Sequence, residues 1–187
     1  LIGKQGHVAY PQKVLSPILE AGPIINELMQ TVWDDGNKFF DPTSFQISNI
    51  ESGTGASNVV PGSLKMLFNF RFSPESTAES LKDRFTKILS KSKCEFEIEW
   101  TLNANPYLTE KTDLLSIIQT ALKKINGKEA EVINGGGTSD GRWVAPSGAE
   151  VIELGPKNAT IHQIDEKISL KDLDKLQEIY QQINKRS

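Results

Sequence analysis

The chain carries only two histidines, His7 and His162, and each stands among residues able to do chemistry. His162 closes Gly155-Pro156-Lys157-Asn158-Ala159-Thr160-Ile161-His162, downstream of Gly135-Gly136-Gly137-Thr138-Ser139-Asp140-Gly141-Arg142. Three consecutive glycines let a backbone approach a ligand with no Cβ in the way, and the N–H and hydroxyl donors beside them suit a carboxylate or oxyanion. A glycine run alone is more often a turn. Histidine is the commonest zinc ligand, yet a zinc site needs three or four ligands. Neither His-Glu-x-x-His nor His-x-Asp occurs, so by its own pattern His162 reads first as an ordinary loop histidine rather than a ligand. Asp140 and Arg142 are spaced to pair with each other and shape the loop.

His7 lies in Gln5-Gly6-His7-Val8-Ala9-Tyr10-Pro11, at the exit of a strand, where a partly exposed histidine and a catalytic one look alike. Asn58 sits in the Gly53-Thr54-Gly55-Ala56-Ser57-Asn58-Val59-Val60-Pro61 loop, where its amide can donate to one group and accept from another, or simply form a turn. Arg71, in Asn69-Phe70-Arg71, alternates out of an apolar strand face. Its planar fork matches a carboxylate, although solvated arginines are common at such places.

The elements that must position these residues divide into two segments. Residues 1–105 read as strand, helix, strand, strand, helix, strand. Ser16-Pro17 announces the first helix, with Ile25, Leu28, Met29 and Val32 as its apolar face. Leu64, Met66, Phe68, Phe70 and Phe72 alternate in one strand, and Phe96, Ile98, Trp100 and Leu102 in the last. Between them Ser76-Thr77-Ala78-Glu79 forms a capping box ahead of Leu81, Phe85, Ile88 and Leu89. The order is that of a ferredoxin-like βαββαβ sandwich: two helices cover one sheet face and the other is open to a partner.

Asn103-Ala104-Asn105-Pro106 punctuates the chain, and residues 106–187 form the second segment. Leu114, Leu115, Ile117, Ile118, Ala121, Leu122 and Ile125 trace a helix stopped at Gly127. Short strands are expected at Glu131–Ile133 and Glu150–Leu154. A last helix starts at Ser169-Leu170-Lys171-Asp172, box-like, and is expected to bury Leu170, Leu173, Leu176, Ile179 and Ile183. Alternating helix and strand mark an α/β layer, small enough that part of its sheet is expected to be missing. The fold class is therefore α/β (α+β).

Hydrophobic residues make up 37% of the 187-residue chain, ample for a core. A net charge of -3 with interspersed signs leaves no electrostatic footprint for nucleic acid or an anionic membrane, so neither is expected as a partner. A single cysteine, Cys94, rules out an internal disulfide framework and fits a reducing cytosol. The chain opens without Met, at Leu1-Ile2-Gly3, inside an expected strand, which suggests a fragment.

The five motifs quoted above, from Gln5–Pro11 to Gly155–His162, together resemble the succinyl-diaminopimelate desuccinylases, within the zinc aminoacylase and carboxypeptidase superfamily. The resemblance runs from residue 1 to about residue 185 but leaves the family's N-terminal half, with most metal ligands, without a counterpart. It implies a dimerisation and lid domain at 1–105 and the C-terminal part of a catalytic domain at 106–187. It also implies a cytoplasmic homodimer built through the lid, and two zinc ions per subunit, or cobalt in their place, acting on a small-molecule amide. His162 becomes a metal ligand whose partners lie elsewhere. His7 becomes the oxyanion-stabilising residue, reaching in trans into the other subunit's site. Asn58 binds substrate across the dimer; the family often has an Asn-Asn pair there, and Ser57 stands in its first place. Arg71, Tyr10, Gly137, Thr138 and Ser139 make carboxylate and backbone contacts. By the resemblance the parent hydrolyses N-succinyl-diaminopimelate with a zinc-bridged hydroxide, and this chain alone is expected to be inactive. Acetylornithine deacetylase, a carboxypeptidase and a non-catalytic dimerisation module are the alternatives.

Overall fold

The computed structural model describes residues 1–109, 112–134, 139–157 and 159–185. They fall into two compact units, Leu1–Pro106 and Tyr107–Ser187.

Unit 1 runs β1 (Gly6–His7), α1 (Pro17–Gln30), β2 (Ser44–Ser52), β3 (Val59–Val60), β4 (Leu64–Arg71) and α2 (Ala78–Leu89). β2 and β4 pair antiparallel from Ser44 opposite Arg71 to Ser52 opposite Leu64, with a bulge between Ile47 and Asn49. β1 pairs antiparallel with β3, and isolated bridges join Ile2 to both Ser63 and Glu95. The first strand thus lies between the start of β4 and the segment after Glu95, the order a split βαβ requires.

Alternation along β4 explains the core. Leu64, Met66, Phe68 and Phe70 turn inward while Lys65, Leu67, Asn69 and Arg71 stay exposed. The inner face packs on Ile24 and Leu28 of α1 and on Leu81, Phe85, Ile88 and Leu89 of α2. Phe85 stacks on Phe68 at 4.4 Å and meets Trp100 edge-on at 5.4 Å. Ring pairs of this geometry add about 0.5–1.5 kcal/mol each beyond their burial. Both helices therefore cover one sheet face, and the fold is α+β.

Three expectations shift. The Phe96–Leu102 strand closes no ladder past the Glu95 bridge, although Phe96, Ile98 and Trp100 still pack on the core. Its neighbouring backbone is engaged elsewhere: Gly3 N–H donates to Gly62 O and Lys4 N–H to Leu15 O, both at 2.8 Å. In α1 the buried stripe is Pro17, Ala21, Ile24 and Leu28, whereas Met29 and Val32 are exposed. This helix is apolar around most of its girth, so packing rather than pattern chooses the stripe. The capping box of α2 is Thr77 with Ser80, not Ser76 with Glu79.

Ser76 instead donates to Asp34 Oδ2 at 2.5 Å. Asp34 also accepts from the Thr43 hydroxyl and from the backbone N–H groups of Gly36 and Thr43, at 2.9 Å each. Burial alone would raise this carboxyl, but the hydrogen bonds from Ser76, Thr43 and Gly36 outweigh it and hold the group well below the usual carboxylate range. The carboxylate ties the α1–β2 loop to the entry of α2.

Unit 2 holds α3 (Asp113–Asn126), a single turn α4 (Gly141–Val144) and α5 (Leu170–Asn184). Thr112 caps α3, accepting from Leu115 N–H at 3.2 Å, and Gly127 ends it at a left-handed φ of 76°. Ile118, Ala121, Leu122 and Ile179 form the core between α3 and α5, with Ile152 and Leu154 against it. Leu170 and Leu173, expected to be buried, are exposed, and no side chain caps α5. Glu131–Ile133 and Glu150–Leu154 form no strand, because no neighbouring backbone among the described residues pairs with them. Among the described residues no helix is long and apolar enough to cross a membrane.

Candidate functional site

Unit 1 brings four of the candidate residues together. His7 lies opposite Val59 in the β1–β3 ladder, and Val8 N–H donates to Asn58 O at 3.1 Å, which holds the Ser57–Asn58 turn beside the strand. Gly53 and Gly55, at φ 98° and 81°, let the preceding loop fold back on itself. Tyr10 follows in a turn, its N–H donating to His7 O at 3.0 Å and its ring 5.8 Å from the His7 ring. Lys13 Nζ sits 5.1 Å over the Tyr10 ring. All four side chains are exposed, and the Asn58 carboxamide has no hydrogen-bond partner among the described residues.

The His7 ring is oriented. Its Nδ1 accepts from Ala9 N–H at 3.1 Å. A neutral imidazole that accepts at Nδ1 carries its proton at Nε2, so His7 presents an N–H donor outward.

Arg71 lies elsewhere in the unit. Leu1 pairs with Leu64, and the chain from there to His7 runs antiparallel to β4. Arg71 ends β4 in the opposite direction, seven residues past Leu64, roughly 23 Å on at the rise of a strand. Its side chain is exposed and makes no hydrogen bond or ion pair among the described residues. A single copy therefore does not bring Arg71 to His7.

In unit 2, Gly137 and Thr138 lie outside the described residues. Ser139 is inside a hydrogen-bonded cluster: its hydroxyl donates to Glu153 Oε1 at 2.6 Å and accepts from Gly141 N–H at 3.0 Å. Tyr107 donates to the same Glu153 oxygen at 3.0 Å. Burial, and then the adjacent Glu153 carboxylate, raise the Tyr107 phenol above its ordinary value. Asp140 forms no ion pair with Arg142; the Arg142 guanidinium lies 5.2 Å over the Trp143 ring, and its Nε is buried with no hydrogen-bond partner among the described residues. The pairing expected from sequence is replaced by this stacking, since α4 turns the two side chains apart.

His162 is exposed at φ 58°, a left-handed conformation that non-glycine residues rarely hold. Two turns impose it: Gln163 N–H donates to Thr160 O at 3.0 Å, and Thr160 exchanges hydrogen bonds with Lys167, at 3.0 and 3.1 Å. Such backbone strain concentrates at ligand sites. Zinc, however, needs three or four ligands, and among the described residues no group of three His, Cys, Asp or Glu side chains converges. The residues described here do not by themselves fit a zinc ion.

Tyr107 and Glu153 were not singled out by sequence reasoning. The available signal was a charged residue inside the apolar run Val151-Ile152-Glu153-Leu154.

Residues 1–97 match the peptidase dimerisation domain family. Over 181 residues the chain is 56% identical to a succinyl-diaminopimelate desuccinylase of Acinetobacter baumannii, covering 97% of this chain and 48% of that protein. A protein of the same name from Pseudoalteromonas atlantica is 53% identical over 184 residues, covering 98% and 49%. The chain thus spans about half the length of these relatives. Among solved structures, a di-peptidase from Saccharomyces cerevisiae superposes with a TM-score of 0.76 at 15% identity, covering all of this chain and 53% of that one. An aminopeptidase from Bacillus cereus gives 0.71 at 22% identity, covering 97% and 48%. At these identities the structural matches speak for the fold.

Proposed function

The chain belongs to the peptidase dimerisation domain family, and from that premise we propose that it is part of a metal-dependent succinyl-diaminopimelate desuccinylase, a cytoplasmic homodimer. In this reading unit 1 is the dimerising lid and unit 2 the end of the catalytic domain. The relatives of that name at 53–56% identity support the substrate assignment.

The observation that carries the mechanism is the orientation of His7. Ala9 N–H occupies Nδ1, so Nε2–H faces outward and can donate to the oxyanion that forms as water adds to the amide carbonyl. Donors preset for such an oxyanion typically contribute 10²–10³ in rate, about 2.7–4 kcal/mol. The separation of His7 from Arg71 within one copy supports a site built from two copies, with His7 acting in trans. Asn58, with Ser57 beside it, reaches the substrate from the same side as His7. Arg71 and Tyr10 hold carboxylates, and residues 137–139 add backbone and hydroxyl contacts. His162 is one zinc ligand, and the others come from outside this chain. Alone the chain is inactive.

A non-catalytic dimerisation module is the second reading, favoured by a family match confined to residues 1–97. Desuccinylase assays with added zinc separate the two, run on this chain and on the longer enzyme carrying His7→Ala. We expect no turnover by the chain and a 10²–10³-fold loss of kcat in the variant at unchanged metal content. A variant that turns over normally removes His7 from the mechanism. A longer enzyme with no desuccinylase activity leaves the module reading standing.

A further inference from the structure

The loop that carries His7 is clipped shut at its base. Lys4 and Leu15 exchange hydrogen bonds there, Lys4 N–H to Leu15 O at 2.8 Å and Leu15 N–H to Lys4 O at 3.0 Å. Inside the clip two turns follow each other, Tyr10 N–H donating to His7 O at 3.0 Å and Lys13 N–H to Tyr10 O at 2.9 Å, so His7, Tyr10 and Lys13 recur at every third residue. The loop also packs on itself: a Cβ at Gly6 would meet Val14 Cγ1 at 2.5 Å. The Tyr10 ring adjoins both neighbours, with the His7 ring at 5.8 Å and the Lys13 ammonium over its face at 5.1 Å. That ammonium is exposed and has no hydrogen bond or ion pair among the described residues. Residues 1–19 and 52–64, which β1 and β3 bring together, contain no Asp or Glu. The surface around His7 is thus rich in donors, and its own segments offer no carboxylate to neutralise Lys13.

We propose that Lys13 is a further binding residue of the His7 loop, whose ammonium, seated over the Tyr10 ring, takes a carboxylate of the substrate while His7 faces the amide oxyanion. The proposal deepens the desuccinylase reading and rests on it. A cation over an aromatic face keeps the N–H groups that point away from the ring free for an acceptor, so Tyr10 fixes the ammonium without consuming all its donors. N-Succinyl-diaminopimelate carries carboxylates beyond the amide on both its acyl and its amino-acid arms. A cation one turn past Tyr10, on the same clipped loop as His7, suits an anion that extends beyond the reacting carbonyl. Lys13 then touches the substrate itself, so its removal weakens binding and leaves the chemical step alone.

Kinetics of the longer enzyme test this. Lys13→Met is expected to raise KM for N-succinyl-diaminopimelate about tenfold with kcat nearly unchanged. Lys13→Arg, which keeps the charge and can stack on the ring, is expected to keep most of the wild-type affinity. The gap between wild type and Lys13→Met should narrow as salt rises, because an exposed charge is screened. Lys82 holds its ammonium 6.0 Å over the Trp100 ring from α2, so Lys82→Met controls for net charge and is expected to leave KM alone. An unchanged KM in Lys13→Met, or a loss confined to kcat, would overturn the proposal. A second readout needs no catalysis. Succinate titrated into this chain should shift the NMR signals of His7 and Tyr10, uncharged succinamide should not, and Lys13→Met should abolish the response. No response in the wild-type chain, or an equal one in Lys13→Met, overturns Lys13 as a carboxylate site. If the longer enzyme does not hydrolyse the substrate, the functional reading fails while the succinate titration still decides the role of Lys13.

Discussion

Unit 1 and unit 2 reach different degrees of closure, and all eight Phe and both Met of the chain lie in unit 1. In unit 1, eight buried side chains form one cluster, with nine more packed around it from helices and strands alike. In unit 2, among the described residues, four side chains are buried in the shared core, all on α3 and α5, with five more packed against it. Several of its other large hydrophobics lie open: Ile133 at 73% exposure, Trp143 at 64% and Ile164 at 95%. The difference follows from what each element needs. A helix satisfies its own backbone and asks only for a surface on which to lay one stripe, whereas an extended segment must find a neighbouring strand for its N–H and C=O groups. β2 and β4 have each other; Glu131–Ile133 and Glu150–Leu154 have no such neighbour among the described residues.

Substitutions can break or sharpen this contrast, and urea unfolding of the chain is the natural measurement. Phe85→Ala, at a side chain 1% exposed amid stacked rings, should lower stability by about 3–5 kcal/mol. A loss below about 1 kcal/mol would mean that unit 1 is not held by its aromatic core.

Asp34→Asn should cost about 2 kcal/mol near neutral pH by weakening charge-assisted bonds to Ser76, Thr43 and Gly36. Because the folded carboxyl lies below its unfolded value, its contribution is present above the ordinary carboxylate range and declines as pH falls through about 4 and lower. The wild-type unfolding midpoint should therefore drop in acid more steeply than that of Asp34→Asn. Parallel curves would show that Asp34 contributes no such linkage.

Thr77→Ala removes one half of the α2 capping box and should cost about 1 kcal/mol. Glu79→Ala, at the position the sequence pattern first favoured, should cost less, and the reverse ranking would reinstate that pattern. At the small end, Ile164→Ala and Leu170→Ala in unit 2 should each change stability by less than about 0.5 kcal/mol. A larger cost at either would show that unit 2 buries a surface this structure leaves open.

Much of this molecule could be read without coordinates. Alternation at Leu64–Phe72 and helical spacing at Leu81–Leu89 correctly marked what faces the core, because both patterns express the backbone's own period. Gly127 ended α3 as expected, since a left-handed cap is a local requirement. Residues at β1 and at the Ser57–Asn58 turn were singled out as site candidates, and the structure sets them side by side.

What pattern did not reveal depended on distant neighbours. α1 offered more than one apolar stripe, and only α2 and β2 decided that Ala21, Ile24 and Leu28 would be the buried one. Ser76 looked like a cap until Asp34, 42 positions away, claimed its hydroxyl. Arg142 was spaced to pair with Asp140 and instead lies over Trp143. The carboxylate that gathers Tyr107 and Ser139 shows no local signature, because hydrogen bonds spanning 46 and 14 positions leave no periodicity in the chain. The sequence by itself thus determined the helices, the stop of α3 at Gly127 and the inward faces of β4 and α2, all set by interactions within a few residues. Only the tertiary structure decided which side chains meet across those elements, because that choice is made by packing and by the demand that each buried polar atom find a partner.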